Sequence, residues 1–241
     1  MNRRKLIKGG LAAAGGFAGL AVAGRLADKY GLLPPDSCGP YGPGHALTYA
    51  THRLITRHSM AREFRSDEIS EKPFANPTEF RSTEFERMRQ GGFADWRLTV
   101  DGLVERPSSF SLAELRSWPS RSQITLLACE EGWSYVAQWT GVPLTAVLER
   151  VGVRPDAKFV VYSSMQADWQ DAIDMADARH PQTCLSHGFN GDDLPVEFGG
   201  PLRMRVPRQL GYKSVKFVNR LRLTASPKDV PLTDYSWYAG I

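Results

Sequence analysis

From Trp96 to Thr224 the apolar residues come in bursts of about five to eight, each ended by glycine, proline or charge. Bursts that short make strands or two-turn helices and cannot make a bundle of long helices. "DWRLTVDGLV" reads as a strand through Trp96, Leu98 and Val100, with a turn at Asp101-Gly102 before Leu103 and Val104. "SLAELRSWP" opens on Ser111 with Glu114 three residues on, a capping box, and Pro119 stops the helix. "SQITLLA" is a short strand running into Cys129, and "PLTAVLERVGV" is a helix with Leu144, Val147, Leu148 and Val151 on one face. "KFVVYSS" has the look of a buried strand, and "SVKFVNRLRLT" is a further strand. Strands and short helices mix without a regular βαβ alternation, which predicts an α+β fold with a mixed sheet rather than a doubly wound one.

Before Trp96 the chain changes character. Residues 1–23 carry Arg3, Arg4, Lys5 and Lys8, an uncharged run from Gly9, and small Ala21 and Ala23 near a cleavage point. Paired arginines ahead of a Gly/Ala-rich apolar segment read as a twin-arginine export signal, placing the mature chain in the periplasm. The competing reading is an uncleaved anchor, but the run falls short of the ~20 apolar residues that span a bilayer. Residues 24–59 are expected to form a Gly/Pro-rich arm, irregular from Gly31 to Tyr49, leaving 60–241 as one domain. Removing the signal leaves 26 cations against 26 anions, so the formal charge of +4 is a property of the signal. That balance argues against a nucleic-acid partner.

Three cysteines, Cys38, Cys129 and Cys184, are too few for a disulfide framework, although Cys38 and Cys184 could pair in an oxidising compartment. Cys129 is followed by Glu130 and Glu131, whose charge keeps a thiol protonated and disfavours a nucleophile. "HPQTCLSH" offers His180, Cys184 and His187, but zinc sites draw on a second ligand pair and none is present. From Phe198 to Lys228 there is no acid, while Arg203, Arg205, Arg208, Lys213, Lys216, Arg220 and Arg222 all fall between. "PLRMRVP" alternates arginines with Leu202, Met204 and Val206, the pattern of a solvated face. Against this, "GYKS" sets Gly211 and Ser214 around Lys213, a place where backbone N–H groups can approach an anion. A thiol plus a phosphate-binding segment suits a cofactor with a soft metal at one end and an anionic tail, since a metal deprotonates its thiol outright.

These segments carry a specific resemblance. "LLACEEGWSYVAQWTGVPL" resembles the molybdenum-binding segment of the sulfite oxidase family of molybdopterin enzymes, most closely its exported bacterial sulfoxide-reductase branch. "GGPLRMRVPRQLGYKSVKFV" is similar to the family's pterin-binding segment, and "DWRLTVDGLVERPSSFSLAEL" to its preceding strand–turn–helix. The resemblance implies a molybdopterin-binding domain without the C-terminal dimerisation domain, and a molybdenum–molybdopterin cofactor. It assigns Cys129 as the catalytic metal ligand, with Arg203, Ser214, Val215, Lys216 and Ser164 around the pterin. From "SMAREF" it adds Ser59, Arg62 and Glu63. Where the branch has an asparagine five residues before its pterin arginine, this chain has Phe198. The implied activity is oxygen-atom transfer to or from a small or protein-bound sulfur compound, a sulfoxide before sulfite, because the acids after Cys129 are a poor setting for a sulfite dianion. No haem or dinucleotide motif is present, so the resemblance also implies a separate electron-transfer partner, a membrane haem protein, for a monomeric catalytic subunit. The rival classes are a cysteine hydrolase and a non-catalytic anion-binding protein of the periplasm.

Overall fold

The computed structural model describes residues 19, 21–27, 32, 42–56, 58–77, 82–166 and 169–225. It divides into two compact units, Met1–Ser59 and Met60–Ile241. Arg3, Arg4 and Cys38 lie outside the described residues, and with them most of the export segment and the disulfide pairing. Among the described residues no helix is long and apolar enough to cross a membrane.

The expectation of an irregular stretch from Gly31 to Tyr49 is corrected over residues 42–49, while residues 33–41 lie outside the described residues. Helix α1 runs from Gly42 to Thr56, starting well inside the Gly/Pro-rich stretch. Proline in a helix's first turn costs nothing, because the N–H it lacks would have no partner there. Past Pro43, alanine and leucine carry the helix. The Arg53 guanidinium lies 5.1 Å from the Tyr49 ring one turn earlier.

The second unit holds two five-stranded sheets. One comprises β1 (Arg97–Gly102), β2 (Ser108–Ser111), β5 (Phe159–Ser164), β6 (Gln170–Asp174) and β10 (Val218–Thr224), in the order β2-β1-β10-β5-β6. Only β1 and β10 run parallel, so the sheet is mixed, and the α+β class holds. The other is antiparallel: β3 (Arg121–Ala128), β4 (Ser134–Pro143), β7 (Cys184–Phe189) and β8 (Asp192–Asp193) in line, with β9 (Arg203–Arg205) also on β7.

Helices α2 (Thr83–Gln90), α3 (Leu112–Ser117), α4 (Leu144–Val151) and α5 (Met175–Ala178) complete the domain. The capping box of α3 is formed as its sequence predicts: the Ser111 hydroxyl accepts from the Glu114 amide, and the Glu114 carboxylate accepts from the Ser111 amide at 2.7 Å. Leu144, Val147, Leu148 and Val151 are the buried residues of α4. They join Leu98 and Val100 of β1, Val160 and Tyr162 of β5, and Leu221 and Leu223 of β10 in the main core. Each such side chain contributes about 1.5–3 kcal/mol on burial. A second cluster, Leu127, Tyr135, Ala137, Trp139, Phe189, Leu194 and Phe198, lies on the antiparallel sheet beneath the segment that carries Cys129.

One sequence expectation changes here. The arginines of β9 are not a solvated face, since all three of its residues are buried. A guanidinium can be buried where its donors meet carbonyl oxygens, and these do. Arg203 donates to Ser214 O at 2.8 Å and Phe198 O at 2.9 Å. Arg205 donates to Leu126 O at 2.5 Å and to the hydroxyls of Thr125 and Ser214, each at 3.2 Å. Both guanidiniums also lie over the Trp139 ring, at 5.3 and 5.2 Å. In "HPQTCLSH" the residues that a zinc site would have needed are separately engaged. Cys184 and His187 lie on β7, whose register against β4 shifts between Ser186 and Gly188, and their side chains have separate partners. Cys184 is buried against Gln123, and His187 Nε2 sits 3.1 Å from the Ser120 hydroxyl. Among the described residues no group of three His, Cys, Asp or Glu side chains could hold a metal ion.

Candidate cofactor site

Cys129 stands at the head of the β3–β4 hairpin. The pairing of the two strands ends at Ala128 and Ser134, and the five residues between make a tight turn. Cys129 N–H donates to Trp133 O at 2.9 Å, Gly132 N–H returns to Cys129 O, and Gly132 takes the positive φ that the turn requires. The thiol therefore sits on a loop whose two ends are fixed by strands.

The facing wall is the loop that enters β10. A 3₁₀ turn, Gly211–Lys213, leads into Ser214, Val215 and Lys216. A Cβ on Gly211 would come within 3.2 Å of Leu127 and 3.3 Å of Ala128 O, so glycine lets this loop close on the cysteine turn. On its other side the loop is gripped by Gly199, at φ +105, where a Cβ would collide with the Lys216 side chain. Lys216 Nζ donates to Glu197 O and Asn76 O, both at 2.7 Å. In "GYKS", expected to bring backbone N–H groups to an anion, Gly211, Tyr212 and Ser214 line the cavity and Lys213 does not. Lys213 turns into the core, where Nζ meets Asp171 Oδ1 at 2.6 Å and Ala172 O at 2.5 Å, and Lys216 reaches the cavity instead.

Between the two walls is a cavity of about 540 Å³ lined by Cys129, Glu130, Glu131 and Trp133 on one side and by Gly211, Tyr212, Ser214, Val215, Lys216 and Arg203 on the other. Such a volume is typical of a small-molecule or cofactor site. The structure thus brings Cys129, Arg203, Ser214, Val215 and Lys216 to one place, from segments more than seventy residues apart in sequence.

The remaining candidates lie off its wall. Arg62 faces Glu68 at 3.2 Å, and the carboxylate of Glu63 accepts from Gln182 at 3.2 Å, because this segment bridges to β3 at Thr125. The Ser164 hydroxyl accepts from the Gln166 amide, and Gln166 takes its place on the wall. Ser59 belongs to the first unit, where its hydroxyl donates to Thr56 O. Phe198, at the position of the branch's asparagine, is buried and serves Arg203 through its carbonyl. Sequence reasoning missed Asn76, Gln166, Trp169 and Tyr212, since nothing in their local patterns marks them.

The electrostatics divide the cavity. Burial, with Glu130 and Glu131 adding to it against the Glu131 backbone amide, pushes the Cys129 thiol up to about 11. Burial pulls Lys216 down from the ordinary 10.5 to about 8, with the like charge of Arg203 adding and Glu197 opposing. Burial also lowers Arg203, partly offset by Tyr135. Between pH 8 and 10.5 the folded chain thus binds fewer protons at Lys216 than the unfolded chain, so this group makes stability rise across that window and leaves it flat below. Urea unfolding at each end of the window should show the wild type's stability shifting upward relative to that of Lys216→Met by on the order of 1–3 kcal/mol, a difference that leaves out the raised thiols of Cys129 and Cys184, which act the other way in both proteins. Identical pH profiles for the two proteins would remove Lys216 as a contributor. A bound anion would hold the proton on Lys216 and flatten the same profile.

The donor set fits a cofactor with a soft metal and a phosphate: one thiol at one end, and Arg203, Lys216 and the Ser214–Val215 segment at the other. Comparisons with known proteins agree. A relative in Azospira oryzae, provisionally named protein-methionine-sulfoxide reductase subunit YedZ1, is 39% identical over 157 residues, covering 64% of this chain and 60% of the relative. The protein-methionine-sulfoxide reductase catalytic subunit MsrP of Xanthomonas axonopodis pv. citri is 34% identical over 166 residues, covering 61% of this chain and 52% of that one. The chain thus spans between half and three-fifths of the length of these relatives. Among solved structures, the sulfane dehydrogenase SoxCD of Paracoccus pantotrophus matches with a TM-score of 0.53 at 26% identity, over 55% of this chain and 39% of that one. The model of the oxidoreductase molybdopterin binding domain matches residues 86–231, which include both walls of the cavity, and the chain belongs to that family of oxidoreductases.

Proposed function

We propose that this chain is a molybdenum-dependent sulfoxide reductase, the catalytic subunit of a periplasmic system reached by twin-arginine export. The observation that carries the reading is the division of the cavity: a thiol flanked by carboxylates faces a cationic wall of buried Arg203 and half-buried Lys216. A phosphate belongs on the cationic wall, and an uncharged oxygen donor suits the acidic side better than sulfite does. The names of the relatives, protein-methionine-sulfoxide reductases, point the same way.

When bound, the molybdenum–molybdopterin group supplies a metal that accepts or gives an oxygen atom by changing oxidation state. Cys129 would hold the metal through its sulfur, and Arg203, Lys216 and the Ser214 and Val215 backbone would hold the pterin and its phosphate. In sulfoxide reduction the S–O bond breaks, two electrons and two protons are consumed, and a thioether and water leave. The electrons come from a separate donor, and a membrane haem protein fits that need. A cysteine hydrolase is the weaker reading, because the thiol is held protonated and, among the described residues, no histidine lines the cavity.

The test uses protein purified from a molybdenum-replete host. It should contain about one molybdenum per chain and reduce dimethyl sulfoxide and methionine sulfoxide with a dithionite-reduced viologen. Metal-free protein with full activity, or sulfite as the far better substrate, would overturn the proposal.

A further inference from the structure

The acidic side of the cavity has an architecture of its own. Glu131 is fixed, accepting from Trp133 Nε1 at 2.7 Å and from Asn76 Nδ2 at 3.4 Å. Glu130 accepts from the Cys129 thiol at 3.2 Å. Both side chains are exposed at the opening, and among the described residues neither forms an ion pair. Residues 24–241 carry equal numbers of cations and anions, so this acidity is local and not a reflection of the whole chain.

Beside the carboxylates is an aromatic ledge. Phe74 packs on Trp133 with centroids 4.9 Å apart, and Trp169 lines the cavity from the other side. Phe74 is 46% exposed and Trp169 is 38% exposed. Large aromatics left in solvent around a cavity are contact surface for something longer than a small solute. Unpaired carboxylates at an opening attract cations and turn away anions, chiefly through the rate of encounter.

We propose that the mouth formed by Glu130, Glu131, Trp133, Phe74 and Trp169 selects sulfoxides carried on peptides with lysine or arginine neighbours, and rejects anionic substrates. The inference rests on the sulfoxide-reductase reading and adds to it which sulfoxides are taken. The aromatic ledge takes the peptide backbone and apolar flank, and the two carboxylates take the cationic neighbour.

The test compares kcat/KM on the loaded enzyme, with a dithionite-reduced viologen as electron donor, for short peptides whose methionine sulfoxide is flanked by Lys, Gln or Glu, and for dimethyl sulfoxide. At low ionic strength the Lys-flanked peptide should exceed the Glu-flanked one by about tenfold, and the ratio should fall toward one near about 0.5 M salt. Glu130→Gln should shrink the Lys/Glu ratio several-fold, and Phe74→Ala should lower the ratio of any peptide to dimethyl sulfoxide. The salt series on the wild type keeps the test decisive if a variant fails to load. Equal rates for Lys- and Glu-flanked peptides, with dimethyl sulfoxide still reduced, sink this inference and leave the reductase reading standing. Turnover of no sulfoxide at all sinks both.

Discussion

Replacing Cys129 by alanine should empty the metal site while leaving the fold intact. The side chain is half-buried and outside both core clusters, its thiol donates to Glu130 and Glu131, and the turn that holds it is built from backbone hydrogen bonds. Unfolding free energy of the unloaded protein should therefore move by no more than about 0.5 kcal/mol, the range of a surface substitution. Metal affinity should respond very differently. Among the described residues the cavity offers no second thiol, since Cys184 is buried elsewhere against Gln123. Loss of a protein ligand exceeds the ~10–100-fold cost of disturbing a residue behind one, so molybdenum should fall below about a tenth of an atom per chain. Sulfoxide reduction should fall to background with it. A variant that keeps both metal and turnover would show that the group is held some other way, and circular dichroism with urea unfolding separates this from misfolding. Cys129→Ser is a sharper version, because a hydroxyl of similar size lacks the soft donor atom.

The second large effect concerns stability. Lys213 and Asp171 form an ion pair in which both side chains are essentially inaccessible. The ammonium also donates to Ala172 O, and the Lys213 carbonyl accepts from the Tyr162 hydroxyl at 2.9 Å. Lys213→Met leaves a carboxylate buried without its cation, which costs about 3–5 kcal/mol. Removing both charges in Lys213→Met/Asp171→Leu should recover much of that loss, since a buried pair is worth far less than the penalty of breaking it. Urea unfolding of the two singles and the double checks this, and a double variant as unstable as the sum of the singles would refute it. The pair also anchors the Gly211–Lys216 wall, so Lys213→Met protein should retain less cofactor after purification.

The parts of the fold legible in the sequence are those decided locally. The capping box at Ser111 and Glu114, the apolar face of α4, and the strands around Leu98, Leu127 and Val160 need only neighbours to form. What escaped was decided at a distance. Strand β4 was read as a motif and not as a strand, because both its faces are buried and the polar–apolar alternation that marks a half-exposed strand is blurred. Arg203 and Arg205 looked solvated because their acceptors, carbonyls at residues 126, 198 and 214, do not show in a side-chain pattern. Lys213 stood in the basic run with nothing to mark it as a core residue, because Asp171, which captures it, lies 42 residues earlier. For the site, the cysteine and basic segments could be found from sequence since each is compact. Asn76 and Trp169 reach the cavity only through folding.

The buried cations have one more consequence, for the fate of the chain before it is loaded. Burial lowers the proton affinity of Arg203, Arg205 and Lys216, the charge of Arg203 lowers that of the other two further, and Arg205 keeps a buried Nε without a hydrogen-bond partner. An anion in the cavity would relieve that crowding as well as add contacts of its own, and a ligand that binds only the folded state shifts unfolding by mass action. The empty protein is thereby the one a protease can catch open. Limited digestion should clear unloaded chains first, so the same charges that hold the cofactor would also serve as a surveillance mark on molecules that lack it.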